Sequence, residues 1–214
     1  MSQNHKQLVS SLIERRGRTF ADELGIELEP NTPSPLFRLL VFALLASARI
    51  SHDIAMAAAR ALADKHWNTA QAMADSTWRE RTDTLNAAGY ARYDESTSRM
   101  LGETAELLLE RYGGDLRRLR EQAEHDPARV RTLLKECKGI GDVGADIFCR
   151  EAQVVWEELY PCADKRSLKA AERLGLGDSA DKLAELTDGR VEFARLVSAL
   201  IRVDLEKAYN EFES

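Results

Sequence analysis

Apolar residues recur three and four positions apart along almost the whole chain, and this spacing predicts an all-α protein. QLVSSLIERR opens the pattern, with Leu8, Leu12 and Ile13 on one helical face. LFRLLVFALLASA, residues 36–48, is apolar on nearly all sides and reads as a central, buried helix. Start and stop signals divide the rest. In NTPSP, Ser34 can cap a helix that begins at Pro35. Ser51 can cap DIAMAAARALADKH, whose alanines favour close helix–helix approach. Thr77 can start WRERTDTLNAA, which stops at Gly89, and DESTSRMLGETAELLLERY stops at Gly113-Gly114. Asp126-Pro127 is a cap followed by a first-turn proline, and starts PARVRTLLKEC. A glycine-rich segment, KGIGDVGADI, interrupts; periodicity then resumes through VGADIFCREAQVVWEEL until Pro161. SLKAAERLGL, DSADKLAEL and RVEFARLVSALIRVDLEKAY complete the series. There is no β alternation, no low complexity and no repeat of fixed period.

A chain of 214 residues suits one large domain or two small lobes, and is long enough to bury a core. The apolar stretch from Leu39 to Ala48 is too short to span a membrane. MSQNHKQ is polar and lacks a signal-peptide core, so the expected location is cytoplasmic. Cys137, Cys149 and Cys162 are widely spaced, with no C-x2-C pair. That pattern disfavours a disulfide framework, a zinc ribbon and an iron–sulfur cluster, and suits buried free thiols. The four histidines do not cluster. A net charge of −6 argues against binding nucleic acid through bulk charge, but leaves a local DNA-contact face open.

The glycine segment reads as helix, hairpin, helix. Gly139 and Gly141 can take positive φ angles, and Ile140 between them can plug the core. The next helix begins near Asp142 or Val143. Its first amides, with those of the glycines through Gly144, would face outward, with no bulky side chain to block an anion. The same residues also suit an ordinary interhelical turn. A dinucleotide-binding turn is disfavoured because no strand precedes the glycines.

Cys137-Lys138-Gly139-Ile140-Gly141, followed by Tyr160-Pro161-Cys162-Ala163-Asp164 and then Lys165-Arg166-Ser167-Leu168, resembles the helix-hairpin-helix DNA glycosylases of the endonuclease III type. That family carries a Leu-Pro-Gly-Val-Gly hairpin and, downstream, an aspartate that starts a helix. LFRLLVFALLASAR and GYARYDES also look similar to family segments, so the resemblance runs over roughly residues 34–176. It implies two lobes. One is a central six-helix lobe over 34–158, with the helix-hairpin-helix motif at 127–157; the other is built from 1–33 and 159–214.

The resemblance also implies roles. The hairpin set Gly139, Ile140, Gly141, Val143 and Gly144 would hold phosphate, and Lys165 would join the DNA contacts. Arg49, with one of Tyr90, Ala91 or Arg92, would fill the stack vacated by a flipped nucleotide. Relatives usually carry glutamine where this chain has Arg49. Asp164 would be the catalytic carboxylate. Bifunctional relatives place a nucleophilic lysine two residues after the second hairpin glycine; here that position is Val143, which implies a monofunctional glycosylase without lyase activity. The four-cysteine iron–sulfur motif is missing, so LVSALIRVDL must hold the C-terminal lobe by packing on the N-terminal helices. Family hairpins often hold K+ or Na+ on backbone carbonyls, here those of Cys137 and Ile140. The implied partner is double-stranded DNA with a damaged or mismatched base, met by a monomer without membrane attachment.

Alternatives stay open. Asp164 also suits a plain helix cap, and Arg49 a solvated helix end. Trp67, Trp78 and Trp156 could stack on a base or belong to packing, and DLRRLR and RVR could touch phosphate or face water. At the level of function, the competing readings are a non-catalytic helix-hairpin-helix DNA-binding protein and an all-α adaptor.

Overall fold

A computed structural model describes residues 3–212. Every regular element in the described residues is helical. In chain order these are α1 (Gln3–Arg16), α2 (Phe20–Glu23), α3 (Pro33–Ser47), α4 (His52–Asp64), α5 (Ala70–Asp75), α6 (Trp78–Ala87), α7 (Asp94–Tyr112), α8 (Leu116–Gln122), α9 (Pro127–Leu134), α10 (Asp142–Ala152), α11 (Lys165–Arg173), α12 (Ala180–Ala184) and α13 (Arg190–Glu206), with short 3-10 turns at Glu157–Leu159 and Ala208–Glu211. None of the described helices is long and apolar enough to cross a membrane. The chain divides into two compact units, a central one of residues 26–148 and a terminal one in which 3–25 join 149–212. The division falls inside α10, between Phe148 and Cys149.

The central unit is organised by α3. Leu36, Phe37, Leu39, Leu40, Phe42, Leu44 and Leu45 are all buried, and each such side chain contributes about 1.5–3 kcal/mol when fully removed from water. Proline sets the start of the helix two residues earlier than expected. Thr32 occupies the cap and Pro33 the first turn, while the Ser34 hydroxyl donates to the Asn68 carbonyl at 2.9 Å. α4 packs on α3, and its small Ala55 and Ala58 are buried. The Ser51, Thr77 and Asp126 caps form as expected, Thr77 with a reciprocal Glu80 capping box.

A buried arginine ties α5, α6 and α7 together. Arg81 donates to the carbonyls of Met73 at 3.0 Å, Ser76 at 2.6 Å and Ser98 at 2.9 Å. This explains Gly102 in mid-helix, where glycine costs about 1 kcal/mol relative to alanine. A Cβ there would lie 2.6 Å from the Arg81 guanidinium.

In the terminal unit α13 is the buried spine, with α1 and α11 packed on it. Val9, Leu12 and Ile13 of α1 are buried, as are Leu196, Val197, Leu200 and Ile201 of α13. Packing of the LVSALIRVDL stretch on the N-terminal helix is thus observed. Arg16 adds ion pairs to Glu206 and Glu211, each at 2.9 Å. The sequence pattern carries α10 on to Leu159, but the helix ends at Ala152. There the buried Gln153 turns aside to clamp the loop ahead of α11. Its side-chain amide donates to the Cys162 carbonyl at 3.0 Å, and its oxygen accepts the Cys162 amide at 2.9 Å.

Candidate DNA-contact hairpin and acidic site

The hairpin lies in the central unit, between α9 and α10. Gly139 has φ +84°, and a Cβ on it would meet Met100 Sδ at 2.7 Å and Leu44 at 3.2 Å. Two constraints therefore demand glycine, a left-handed backbone and close packing. Gly141 is different: its φ is not positive, contrary to the expectation from sequence, and a Cβ there would meet open space. Ile140 is buried and plugs the core, and its amide donates to the Cys137 carbonyl at 3.0 Å. Thr104 of α7 fixes the Lys138 carbonyl at 3.1 Å. Arg131 pairs with Asp146 at 2.6 Å and so clamps α9 to α10.

Asp142 carries a negative charge at the helix start, which by itself would oppose an anion. Its carboxylate is exposed and pairs with Lys135 at 3.0 Å, a counter-charge from the other arm of the hairpin. Val143 is 58% exposed, whereas Gly144 is buried, and a Cβ there would press on Ile140 Cδ1 at 3.2 Å. Burial pushes the Cys137 thiol up to about 12, so the hairpin offers no thiolate at neutral pH. The turn thus presents backbone and an apolar side chain, with no nucleophile at the Val143 position.

The other predicted contacts of the central unit divide. Arg49 and Arg92 are exposed, Arg92 lying over the Tyr93 ring at 5.2 Å. Tyr90 does not join them. It is 0% exposed, and its hydroxyl donates to the Leu45 carbonyl at 2.9 Å. Its aromatic ring braces the turn from inside, which leaves Ala91 and Arg92 as the surface positions. Of the tryptophans, Trp156 is wholly buried, and Trp78 donates its indole N–H to the Glu95 carbonyl at 3.1 Å.

Asp164 lies in the terminal unit at the start of α11. One carboxylate oxygen caps the helix by accepting the Ser167 amide at 2.8 Å. The other accepts from Arg150 Nη1 at 2.5 Å. The side chain is 10% exposed, and that of Arg150 is 7%. Burial pushes the Asp164 carboxyl up, but the Arg150 charge and the Ser167 amide outweigh it and hold the group below its ordinary value. Lys165, its neighbour, is exposed. Arg150 and its neighbour Glu151 carry no motif in the sequence. Arg150 reads as a solvated helix position, and only its burial beside Asp164 marks it.

Two solved structures share this fold. One is endonuclease III trapped with DNA as a covalent intermediate, an estranged-adenine complex. It has a TM-score of 0.51 and 17% identity, over 92% of this chain and 85% of that one. The other is a non-covalent endonuclease III–DNA complex, with a TM-score of 0.52 and 16% identity, over 86% of this chain and 81% of that one. At this identity the likeness is one of fold. No family model matches the chain, and no curated protein matches it in sequence.

Proposed function

From that shared fold, we propose that the chain is a base-excision DNA glycosylase. It acts as a monomer on duplex DNA, hydrolyses the N-glycosidic bond of a flipped damaged or mismatched nucleotide, and leaves the strand intact. The observation that carries the reading is Asp164, a carboxylate held ionised at a helix start in a chain with the endonuclease III fold.

The chemistry follows from charge. As the C1′–N bond breaks, the base departs with the electron pair and the sugar becomes oxocarbenium-like. A fixed carboxylate stabilises that cation and orients the water whose oxygen then bonds to C1′. The water's proton passes to the carboxylate or to solvent, and the departing base takes a proton from solvent, leaving free base and an abasic sugar. Flipping costs roughly a few kcal/mol, offset by backbone contacts to phosphate and by side chains in the vacated stack. The exposed hairpin amides of Gly139, Gly141 and Val143 would supply the first, since the Ile140 amide is engaged by Cys137 and Gly144 is buried, and Arg49 and Arg92 the second, with Lys165 as a further phosphate contact. K+ or Na+ on the Cys137 and Ile140 carbonyls would add positive charge there, and no step depends on it. Strand cleavage through a Schiff base requires an amine, and Val143 has none. We therefore expect alkali-dependent breaks at the reacted site and no adduct on borohydride treatment. A trapped adduct during turnover would contradict the monofunctional assignment.

One observation favours a second reading, a DNA-binding protein without catalysis. Both Asp164 oxygens are already engaged, by a cap and by an ion pair. Asp164→Asn separates the two. Loss of base release with retained affinity for lesion DNA supports the enzyme; retained affinity with no base release from the wild-type chain supports the binding protein.

A further inference from the structure

We infer that Arg150 is a positioning residue for Asp164, locking the carboxylate in one orientation, and that the neighbouring Glu151 completes a three-charge relay behind it. This rests on the glycosylase reading for its functional meaning, and on the terminal unit alone for its geometry.

Three contacts fix the guanidinium. Nη1 meets Asp164 at 2.5 Å, the plane lies over the Phe20 ring with 5.3 Å to its centroid, and Nε stands 3.8 Å from Glu151 Oε1. Among the described residues, neither Arg150 Nε nor Glu151 Oε1 has a hydrogen-bond partner, although both are buried. Such orphaned polar atoms are costly. Here they face one another just beyond hydrogen-bond reach, so a small movement of either would join them. The other Glu151 oxygen is held by the Ala21 amide at 2.9 Å. Phe20 is also covered by Arg202, 4.4 Å from its centroid, and Arg202 pairs with Glu23 at 2.7 Å.

One buried guanidinium thus serves two carboxyls, and the two are not equivalent. Burial pushes Glu151 up despite Arg150, the Ala21 amide and Arg202, and Asp22 pushes the same way. Asp164 faces Arg150 and Ser167, and is held down. As pH falls Glu151 takes a proton first, and the charge of Arg150 is then left to Asp164 alone. The arrangement keeps Asp164 ionised and oriented into acid, where an isolated buried carboxyl would already be neutral. Arginine suits the task because its planar fork stays charged and rigid.

The test uses the full chain. The Asp164 carboxyl carbon is followed by NMR against pH, assigned by its loss in Asp164→Asn, in the wild type, Arg150→Gln and Arg150→Lys. The wild type should titrate below the ordinary aspartate range, Arg150→Gln should move the midpoint up, and Arg150→Lys should restore part of the difference. A wild-type midpoint at or above the ordinary range overturns the inference without any variant having to fold. An unchanged midpoint in a folded Arg150→Gln chain also overturns it. Single-turnover base release is measured alongside. Loss of orientation should cost on the order of 100-fold in Arg150→Gln, with unchanged DNA affinity and an acid limb that follows the NMR midpoint. An equal, pH-independent loss in both variants would mean a purely structural role. If the wild type releases no base from any lesion, the glycosylase reading fails, while the carboxyl titration still decides the role of Arg150.

Discussion

The hairpin of the central unit and the acidic cluster of the terminal unit solve opposite problems. The hairpin exposes backbone: Gly141 faces open space, Val143 is exposed, and Asp142 at the helix start is neutralised by Lys135. The cluster hides side chains: Arg150, Glu151 and Asp164 are withdrawn from water, with Asp164 bonded to Arg150 and Glu151 3.8 Å from Arg150 Nε. A surface made of amides depends on the path of the chain and tolerates most side-chain changes. A buried set of charges depends on each partner, because any member left alone keeps its desolvation penalty.

This difference predicts where the molecule is fragile. Asp164→Ala should have the largest effect on stability. It removes a cap and leaves the buried Arg150 charge without its close partner, at a cost of about 3–5 kcal/mol by denaturant unfolding. A cost below about 1 kcal/mol would mean that the pair is effectively solvated and the contrast fails. Gly139→Ala should come next, destabilising by about 1–3 kcal/mol through its left-handed backbone and the Met100 contact.

Acid comes third, and the sign follows from the direction of each group. Asp164 is held below its ordinary value in the folded chain. Its contribution to stability is therefore complete above the unfolded value of about 3.9, and is lost as pH falls through the folded value. Asp164→Asn should flatten the acid side of the stability–pH curve, and a curve parallel to the wild type would show that the group does not titrate differently on folding. Glu151 acts in the opposite sense: its raised value favours the fold in acid, a benefit lost as pH rises through the folded value. Gly141→Ala should have the smallest effect on stability, within about 0.5 kcal/mol. It should still weaken salt-dependent DNA binding if phosphate approaches those amides, and unchanged binding would remove Gly141 from the contact set.

The two regions were also unequally visible in the sequence. The helices of α3, α4, α6, α7, α9 and α13 follow from periodicity and from local caps such as Ser51, Thr77 and Asp126. Those signals act over three or four residues, and only at the start of α3, where Thr32 rather than Ser34 takes the cap, did tertiary contacts shift one of them. Gly139 and Ile140 were legible for the same reason, since a tight interhelical bend has few solutions. Contacts made at a distance left no local trace. Tyr90 lies in a turn with no periodicity to assign its face, and its burial depends on the Leu45 carbonyl. Gln153 ends α10 without glycine or proline because it clamps Cys162 across a loop. Arg150 looks like an ordinary polar helix residue until the fold brings Asp164 to it. Asp164 itself was doubly marked, as a cap and by its place after the hairpin, yet neither mark revealed its ion pair.

The central claim is that Asp164 drives removal of a base, and direct detection of free base tests it most simply. Duplexes carrying one lesion or mismatch each are incubated with the wild-type chain and with Asp164→Asn, and the released base is identified chemically. The account predicts release from at least one duplex by the wild type and about a 1,000-fold slower release by Asp164→Asn, with similar DNA affinity for both. Equal rates of release by the two chains would contradict it.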